Sequence, residues 1–390
     1  MSTSWNTRCA VRCGLLLAAI IGSAAGAADG AALAVPGAPA AGDALAASDA
    51  ASLASRGLQP EGRPVRERPG WRAPRTILVG GEAQRWIAEL GPIAPHARFV
   101  RYSPATPAAD LAAADAAIGV CDPTLLAGAP HLQWIQWLGA GVERCVQQPL
   151  LRERRPLLTN LQRAAGPSMA EHVLAMMLAL GRHLDYFLQQ QQHAAWAADA
   201  PDMPAPQDLS GRTVLVVGLG GIGTEVARRA HDLGMRVIAT RASGRTGPAF
   251  VDYVGLPGEL RTLAGEADYV VNCAPLTPET TGIFDRDFFA AMRPTAYFLS
   301  VGRGRSTVTA DLIDALRAQR IAGAGLDVTD PEPLPPDSPL WRLPGVIITP
   351  HVSAYTPLAD QARRAIVREN LRRYVAGEAL LAVVDVARGY

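Results

Sequence analysis

Thr213-Val-Leu-Val-Val-Gly218-Leu-Gly220-Gly221-Ile222-Gly223 is the stretch that decides the fold. Its near-continuous β-branched start reads as a strand covered on both faces, and the glycines that follow are spaced G-x-G-x-x-G ahead of an amphipathic helical pattern. In that context Gly218 permits the tight turn, Gly220 lets backbone approach a pyrophosphate, and Gly223 lets helix pack on strand. The helix N-terminus, with Gly221 and Ile222, offers N–H groups and positive dipole to phosphate. A glycine-rich turn without a ligand is the plainer alternative, but strand, helix and second strand are all present. That second strand ends Val237-Ile-Ala-Thr-Arg241-Ala-Ser243-Gly-Arg245 and lacks the acid that would hold the ribose hydroxyls of NAD. Arg241 and Arg245 offer guanidinium forks and Ser243 a hydroxyl to a 2′-phosphate, so NADP(H) is the expected cofactor, with NAD(H) possible. Solvated surface arginines are the alternative there.

Working outward, further apolar strands are expected at 236–239, 269–272, 296–300, 323–327 and 346–349, making one α/β block. Ahead of it, Arg75-Thr-Ile-Leu-Val-Gly-Gly, Ala116-Ala-Ile-Gly-Val-Cys121, Leu132-Gln-Trp-Ile-Gln-Trp137 and Leu157-Leu-Thr-Asn160 alternate with helical text, which implies a second parallel sheet. Met169, Val173, Met176, Met177 and Leu180 recur at helical spacing and predict one long helix from Ser168 to about Gln192. The prolines of Asp202-Met-Pro-Ala-Pro-Gln-Asp208 mark a crossover between blocks. A helix over 358–376 is expected to pack back on the first block. The domain reading is 75–207 with 355–390 for the first block, and 208–354 for the second.

Composition narrows function. Lys and Arg number 37 against 36 Asp and Glu, a formal charge of +1, so no basic field exists to hold nucleic acid. The longest uncharged run, Cys13 to Ala28, is too short and too rich in small residues to span a membrane. The 5 cysteines form no CxxC pair and no clustered framework, so neither disulfides nor a metal site are expected and the fold should rest on packing. Arg8 and Arg12, the apolar Leu15–Ile21 run and Ala25-Gly-Ala27 have the layout of a secretory signal over residues 1–27, implying export to the periplasm; a cytoplasmic protein with a misread start is the alternative. Residues 28–74, rich in Ala, Gly, Pro and Ser, read as a disordered linker.

Three loops carry the chemistry: Ser300-Val-Gly-Arg303-Gly304, Gly325-Leu-Asp327-Val-Thr-Asp-Pro-Glu332-Pro-Leu-Pro335 and Ile348-Thr-Pro-His351. Each follows a strand of the dinucleotide block, where ligands of open α/β sheets bind. A 2-oxo acid needs a cation for its carboxylate, which Arg303 provides, and a proton for its developing alkoxide, which His351 delivers. Glu332 bonded to one ring nitrogen fixes the tautomer and stabilises the imidazolium. Taken singly, each residue has an ordinary reading as surface charge, loop residue or satisfied histidine.

Together with Trp137-Leu-Gly-Ala-Gly-Val142, Ala170-Glu-His-Val-Leu-Ala-Met-Met-Leu-Ala-Leu180, Ala274-Pro-Leu-Thr-Pro-Glu-Thr-Thr281 and Gly389-Tyr390, these residues resemble the D-isomer-specific 2-hydroxyacid dehydrogenases from Arg75 onward. The resemblance implies two doubly wound parallel-sheet domains, Rossmann-like and flavodoxin-like, with the active site in their cleft; closure is expected about the crossover near Gln207 and a second hinge near Ala354. It implies that Arg303, Glu332 and His351 are the catalytic trio and that the backbone of Ala140 and Gly141 binds the substrate carboxylate. It also implies that Pro275, Thr280 and Asp327 lie along the cofactor, and that the protein is a homodimer. The partner is a small 2-oxo or 2-hydroxy acid. Formate dehydrogenases of this fold pair their His with Gln, so Glu332 favours a hydroxyacid enzyme. Ser300, Arg241 and Thr307-Val308 depart from the family's usual residues. His172 is expected to be structural, since its helix is core by periodicity. The other class of function open to this fold is a cofactor-sensing, corepressor-like binding protein.

Overall fold

β-branched and apolar runs bury best between helical layers, and here they form twelve strands in two sheets, every pair parallel, in a computed structural model that describes residues 41–197 and 205–389. The first sheet holds β1 (Thr76–Val79), β2 (Arg98–Arg101), β3 (Ala116–Ile118), β4 (Trp134–Gln136) and β5 (Leu157–Thr159) in the order β2-β1-β3-β4-β5. The second holds β6 (Thr213–Val217), β7 (Arg236–Thr240), β8 (Tyr253–Gly255), β9 (Tyr269–Asn272), β10 (Tyr297–Ser300), β11 (Gly323–Leu326) and β12 (Val346–Ile348) in the order β12-β11-β10-β9-β6-β7-β8. Winding reverses between β1 and β3 and between β6 and β9, the places where open sheets leave a crevice for ligands. In the second sheet Val217, Asn272, Ser300, Leu326 and Ile348 lie in one row across five strands. The loops that follow them leave from a single line.

Five helices matter below: α1 (Ala41–Ser55), α2 (Gly166–Gly181), α3 (Leu184–Gln192), α4 (Gly221–Asp232) and α5 (Pro357–Ala376). The expected single helix from 168 to 192 is two, because His183 adopts φ 55 and breaks the run. Though α2 follows the first sheet in sequence, Met169, Val173, Met176, Met177 and Leu180 pack into the core of the second, with Val214, Val226 and Tyr269. The crossover therefore precedes α2 rather than lying at 207/208. Helix α5 returns to the first sheet, where Ala362, Ile366 and Leu371 join Ile77 and Trp134. No described helix is long and apolar enough to cross a membrane.

Two further expectations are corrected. Residues 41–74, read as disordered, fold: Leu53, Leu58 and Val65 are buried in one cluster with Ile366, Leu371 and Tyr374 of α5. Asp49 meets Arg368 at 2.7 Å with both side chains only 13% exposed, and Arg368 also reaches Glu89 at 2.9 Å. Average composition missed this because a few well-spaced apolar residues find their partner surface some three hundred positions away. Residues 28–40 and the signal at 1–27 lie outside the described residues. Cys121 and Cys145 are joined in a disulfide with Cα atoms 5.6 Å apart, a pairing made by tertiary folding and invisible in the spacing. Closing a loop of this size restricts the unfolded chain by about 3 kcal/mol.

Because Leu53 is 3% exposed in that cluster, Leu53→Ala is expected to lower unfolding free energy by about 2–3 kcal/mol in urea titrations; an unchanged midpoint would mean that α1 does not pack.

Candidate active site

The site begins with backbone. Gly218 has φ 93, and a Cβ there would lie 2.8 Å from Ala274 Cα, so only glycine makes the turn. A Cβ at Gly223 would overlap the carbonyl of Gly218, which fixes how closely α4 approaches the strand. Above Gly220, by contrast, a Cβ would meet nothing within 4 Å, and the N-cap of α4 is closed by no side chain. The open space beside Gly220, together with the uncapped N–H groups at the start of α4, fits the pyrophosphate of a dinucleotide. Gly218 and Leu219 both donate their N–H to the Thr240 carbonyl, which sets Arg241 beside this loop. On the other side, Thr280 Oγ1 donates to the Pro275 carbonyl at 2.6 Å and receives the Thr277 N–H at 2.8 Å, closing the 275–280 loop after β9.

The residues expected at a 2′-phosphate are separated by their partners. Arg241 is exposed and donates to the Thr246 carbonyl at 2.9 Å, with no carboxylate on it among the described residues. Arg245 is ion-paired to Glu259 at 2.8 Å and bonded to the Tyr253 hydroxyl at 2.8 Å. The Tyr253 hydroxyl, the Leu256 N–H and Arg245 hold the Glu259 carboxyl down to about 2, so this pair stays charged. Ser243 is exposed in the same turn.

His351 leaves β12 with φ 55, and its Nδ1 lies 2.9 Å from Glu332 Oε1. Its ring is 43% exposed, open to a ligand. Below it, Asp327 is 1% exposed. The Asp327 carboxylate accepts from Thr349 Oγ1 at 2.6 Å, Val352 N at 2.9 Å and Ser353 N at 3.1 Å, and the Asp327 carbonyl accepts the His351 N–H at 2.9 Å. Burial pushes this carboxyl up, but the contacts with Ser353, Thr349 and the Val352 N–H outweigh it and hold the group below its usual range. Asp327, expected along the cofactor, is thus spent holding the His351 loop. His172 Nε2 bonds Thr349 Oγ1 at 3.0 Å, which makes it a support of that same loop.

Arg303 follows β10. Its Nη1 donates to the Gly302 carbonyl at 2.8 Å, and its Nε meets Glu143 Oε1 at 3.1 Å across the two sheets. The Glu143 contact had no signal in the sequence, because it joins residues 160 positions apart. The Gly141 carbonyl accepts from Trp137 Nε1 at 2.8 Å and the Ala140 carbonyl from Asn160 Nδ2 at 2.8 Å. Both carbonyls are spent, whereas the N–H groups of Ala140 and Gly141 make no hydrogen bond among the described residues. Ser300 accepts from Asn272 Nδ2 at 3.0 Å and so stabilises the row of strand ends. Among the described residues no group of three or more His, Cys, Asp or Glu is placed to hold a metal ion.

Comparison with known proteins agrees with this geometry. The family model of the D-isomer specific 2-hydroxyacid dehydrogenase NAD binding domain matches residues 174–353. A glyoxylate/hydroxypyruvate reductase A from Serratia proteamaculans is 32% identical over 314 residues, which are 79% of this chain and 96% of that protein. Among solved structures, a D-isomer specific 2-hydroxyacid dehydrogenase family protein from Aeromonas salmonicida superposes with a TM-score of 0.68 at 34% identity, covering 80% of this chain and 99% of that one. An NADPH-dependent glyoxylate/hydroxypyruvate reductase from Sinorhizobium meliloti, in complex with NADP and sulfate, gives 0.70 at 29% identity, covering 81% and 100%. With both sheets, the glycine loop and near-complete coverage of its relatives in agreement, the chain belongs to the D-isomer specific 2-hydroxyacid dehydrogenase family.

Proposed function

We propose that this enzyme reduces a small 2-oxo acid to its D-2-hydroxy acid, with NADP(H) as the preferred cofactor. The observation that carries the reading is the His351–Glu332 pair at 2.9 Å, held beyond the carboxyl ends of the same sheet's strands as the dinucleotide loop. The bound nicotinamide supplies the hydride that the carbonyl carbon accepts. With Nδ1–H donating to Glu332, Nε2 of His351 is the atom that gives a proton to the carbonyl oxygen, and the nearby carboxylate stabilises the protonated ring in the reverse direction. Arg303 receives the substrate carboxylate together with the N–H groups of Ala140 and Gly141. The relatives named for glyoxylate and hydroxypyruvate support a substrate with a short side chain.

Preference for the phosphorylated cofactor rests on Arg241, whose guanidinium meets no carboxylate among the described residues and follows β7, where the chain carries no acid. The solved relatives bound to NADP support it. Arg245, already neutralised by Glu259, contributes less unless that pair opens.

Assembly and compartment are part of the same proposal. Leu178, Leu184 and Leu188 are exposed on α2 and α3, an apolar strip that a second copy of the cofactor domain would cover. A disulfide between Cys121 and Cys145 supports an oxidising compartment and with it the secretory reading of residues 1–27.

Three outcomes are expected. Purified protein oxidises NADPH against glyoxylate or hydroxypyruvate, and His351→Ala lowers kcat by about a thousandfold or more while leaving NADPH binding intact; near-normal turnover in that variant would overturn the role of His351. Arg241→Ala raises the KM for NADPH about tenfold with little change for NADH, and equal effects on the two cofactors would remove Arg241 from the 2′-phosphate site. Expressed with its own N-terminus, the protein is recovered from the periplasmic fraction shortened near Ala27 and with twice the monomer mass by light scattering; full-length cytoplasmic protein would reject export.

A further inference from the structure

Arg303 has three nitrogens, and the fold has already assigned two of them. Nη1 donates to the Gly302 carbonyl at 2.8 Å, within its own turn. Nε is 3.1 Å from Glu143 Oε1, and both side chains are largely withdrawn from solvent, 32% and 23% exposed. The remaining nitrogen, Nη2, lies over Gly141: a Cβ at that position would overlap Nη2 and would stand 2.6 Å from Glu143 Oε2. Gly141 is itself held in place through the bond from Trp137 to its carbonyl. Glycine is thus required at 141 because the guanidinium and the Glu143 carboxylate occupy the space where a side chain would begin.

An arginine side chain has four rotatable bonds, and a substrate carboxylate gains from it only if the fork is already aimed. Resting on the functional reading above, we propose that Glu143 is a positioning residue for Arg303. Its carboxylate takes the Nε edge, the Gly302 carbonyl takes Nη1, and the guanidinium plane is thereby fixed with Nη2 over the Ala140–Gly141 backbone. The substrate carboxylate is received there, between Nη2 and the two N–H groups. Glu143 opens a short helix (Glu143–Val146) after β4 of the first sheet and Arg303 follows β10 of the second, so the aimed arginine exists only when the two are brought together. Substrate binding and closure become one event.

The test compares wild type with Glu143→Ala and the near-isosteric Glu143→Gln, which keeps an acceptor for Nε without the charge. Steady-state kinetics with hydroxypyruvate and NADPH are read beside inhibition by oxamate and NADPH binding by fluorescence. Glu143→Ala is expected to raise the KM for the oxo acid and the Ki for oxamate about tenfold or more, with Glu143→Gln about threefold, NADPH affinity unchanged and kcat falling less than KM rises. Mere loss of folded molecules would lower kcat and leave KM and Ki alone, and if Glu143→Ala does not fold, the Glu143→Gln values decide. Unchanged KM and Ki in both variants would overturn the inference, and so would a lower KM, which would make Glu143 a competitor of the substrate. Wild-type protein that neither turns over the oxo acids nor binds oxamate would overturn the functional reading and this inference together.

Discussion

Everything at the reaction end of the second sheet hangs on one buried carboxylate. Asp327 is out of water, and a buried carboxylate is costly unless it is hydrogen-bonded. Here Thr349, Val352 and Ser353 meet it with three donors from a single five-residue segment. The segment is 349–353, and its middle residue is His351. Because the left-handed backbone of His351 is unfavourable for a residue with a Cβ, something must hold it, and the bonds to Asp327 do so. The contacts keep the carboxyl below its usual range in the folded state, so the stability they add is present above its unfolded value and is lost only as pH falls through the lower folded one. Throughout the neutral range the Asp327 carboxylate beneath His351 therefore stays ionised.

A second constraint couples the two sheets. Gly221 lies close enough to the turn before α2 that a Cβ there would stand 2.7 Å from Arg163 Cγ, and a Cβ at Gly166 would be 3.1 Å from the Gly221 carbonyl. Helix α2 thus leaves the first sheet by passing directly over the glycine loop and then joins the second sheet's core. The Glu143–Arg303 contact spans the same boundary. The glycine loop and Arg303, the groups proposed for the two ends of a cofactor–substrate pair, are therefore tied to the same pair of rigid layers, which is what hydride transfer needs, since reacting atoms must be closely positioned.

How much of this could be read from the sequence follows from where each signal lives. The central strands β6, β9, β10 and β11 are wholly buried and announce themselves as apolar runs. The edge strands β2 and β8 do not: Arg98-Phe-Val-Arg101 is charged at both ends and half solvated, and Tyr253–Gly255 is three residues long. Gly218, Gly220, Gly223, Arg303, Glu332 and His351 are legible because local chain geometry or a recognisable loop dictates them. Glu143, the Cys121–Cys145 bridge, and the docking of Leu53 and Asp49 on α5 are products of tertiary contact, without local periodicity to betray them. The break at His183 was hidden for the opposite reason: the apolar spacing continues across it, and only the backbone turns.

Cofactor choice shows how tertiary partners refine a motif. In the sequence Arg241 and Arg245 are equivalent, two guanidinium groups in one turn. In the fold, Arg245 reaches back across β8 to Tyr253 and Glu259, and its charge is cancelled at the surface by a carboxylate that three donors keep ionised. Arg241 donates to the Thr246 carbonyl and meets no carboxylate among the described residues. An incoming dianionic phosphate would gain a direct charge-assisted bond from Arg241, whereas at Arg245 it would first have to displace Glu259 or suffer its repulsion. Two arginines that look interchangeable in the chain thus divide into one left open to a ligand and one that braces the turn on which the first is carried.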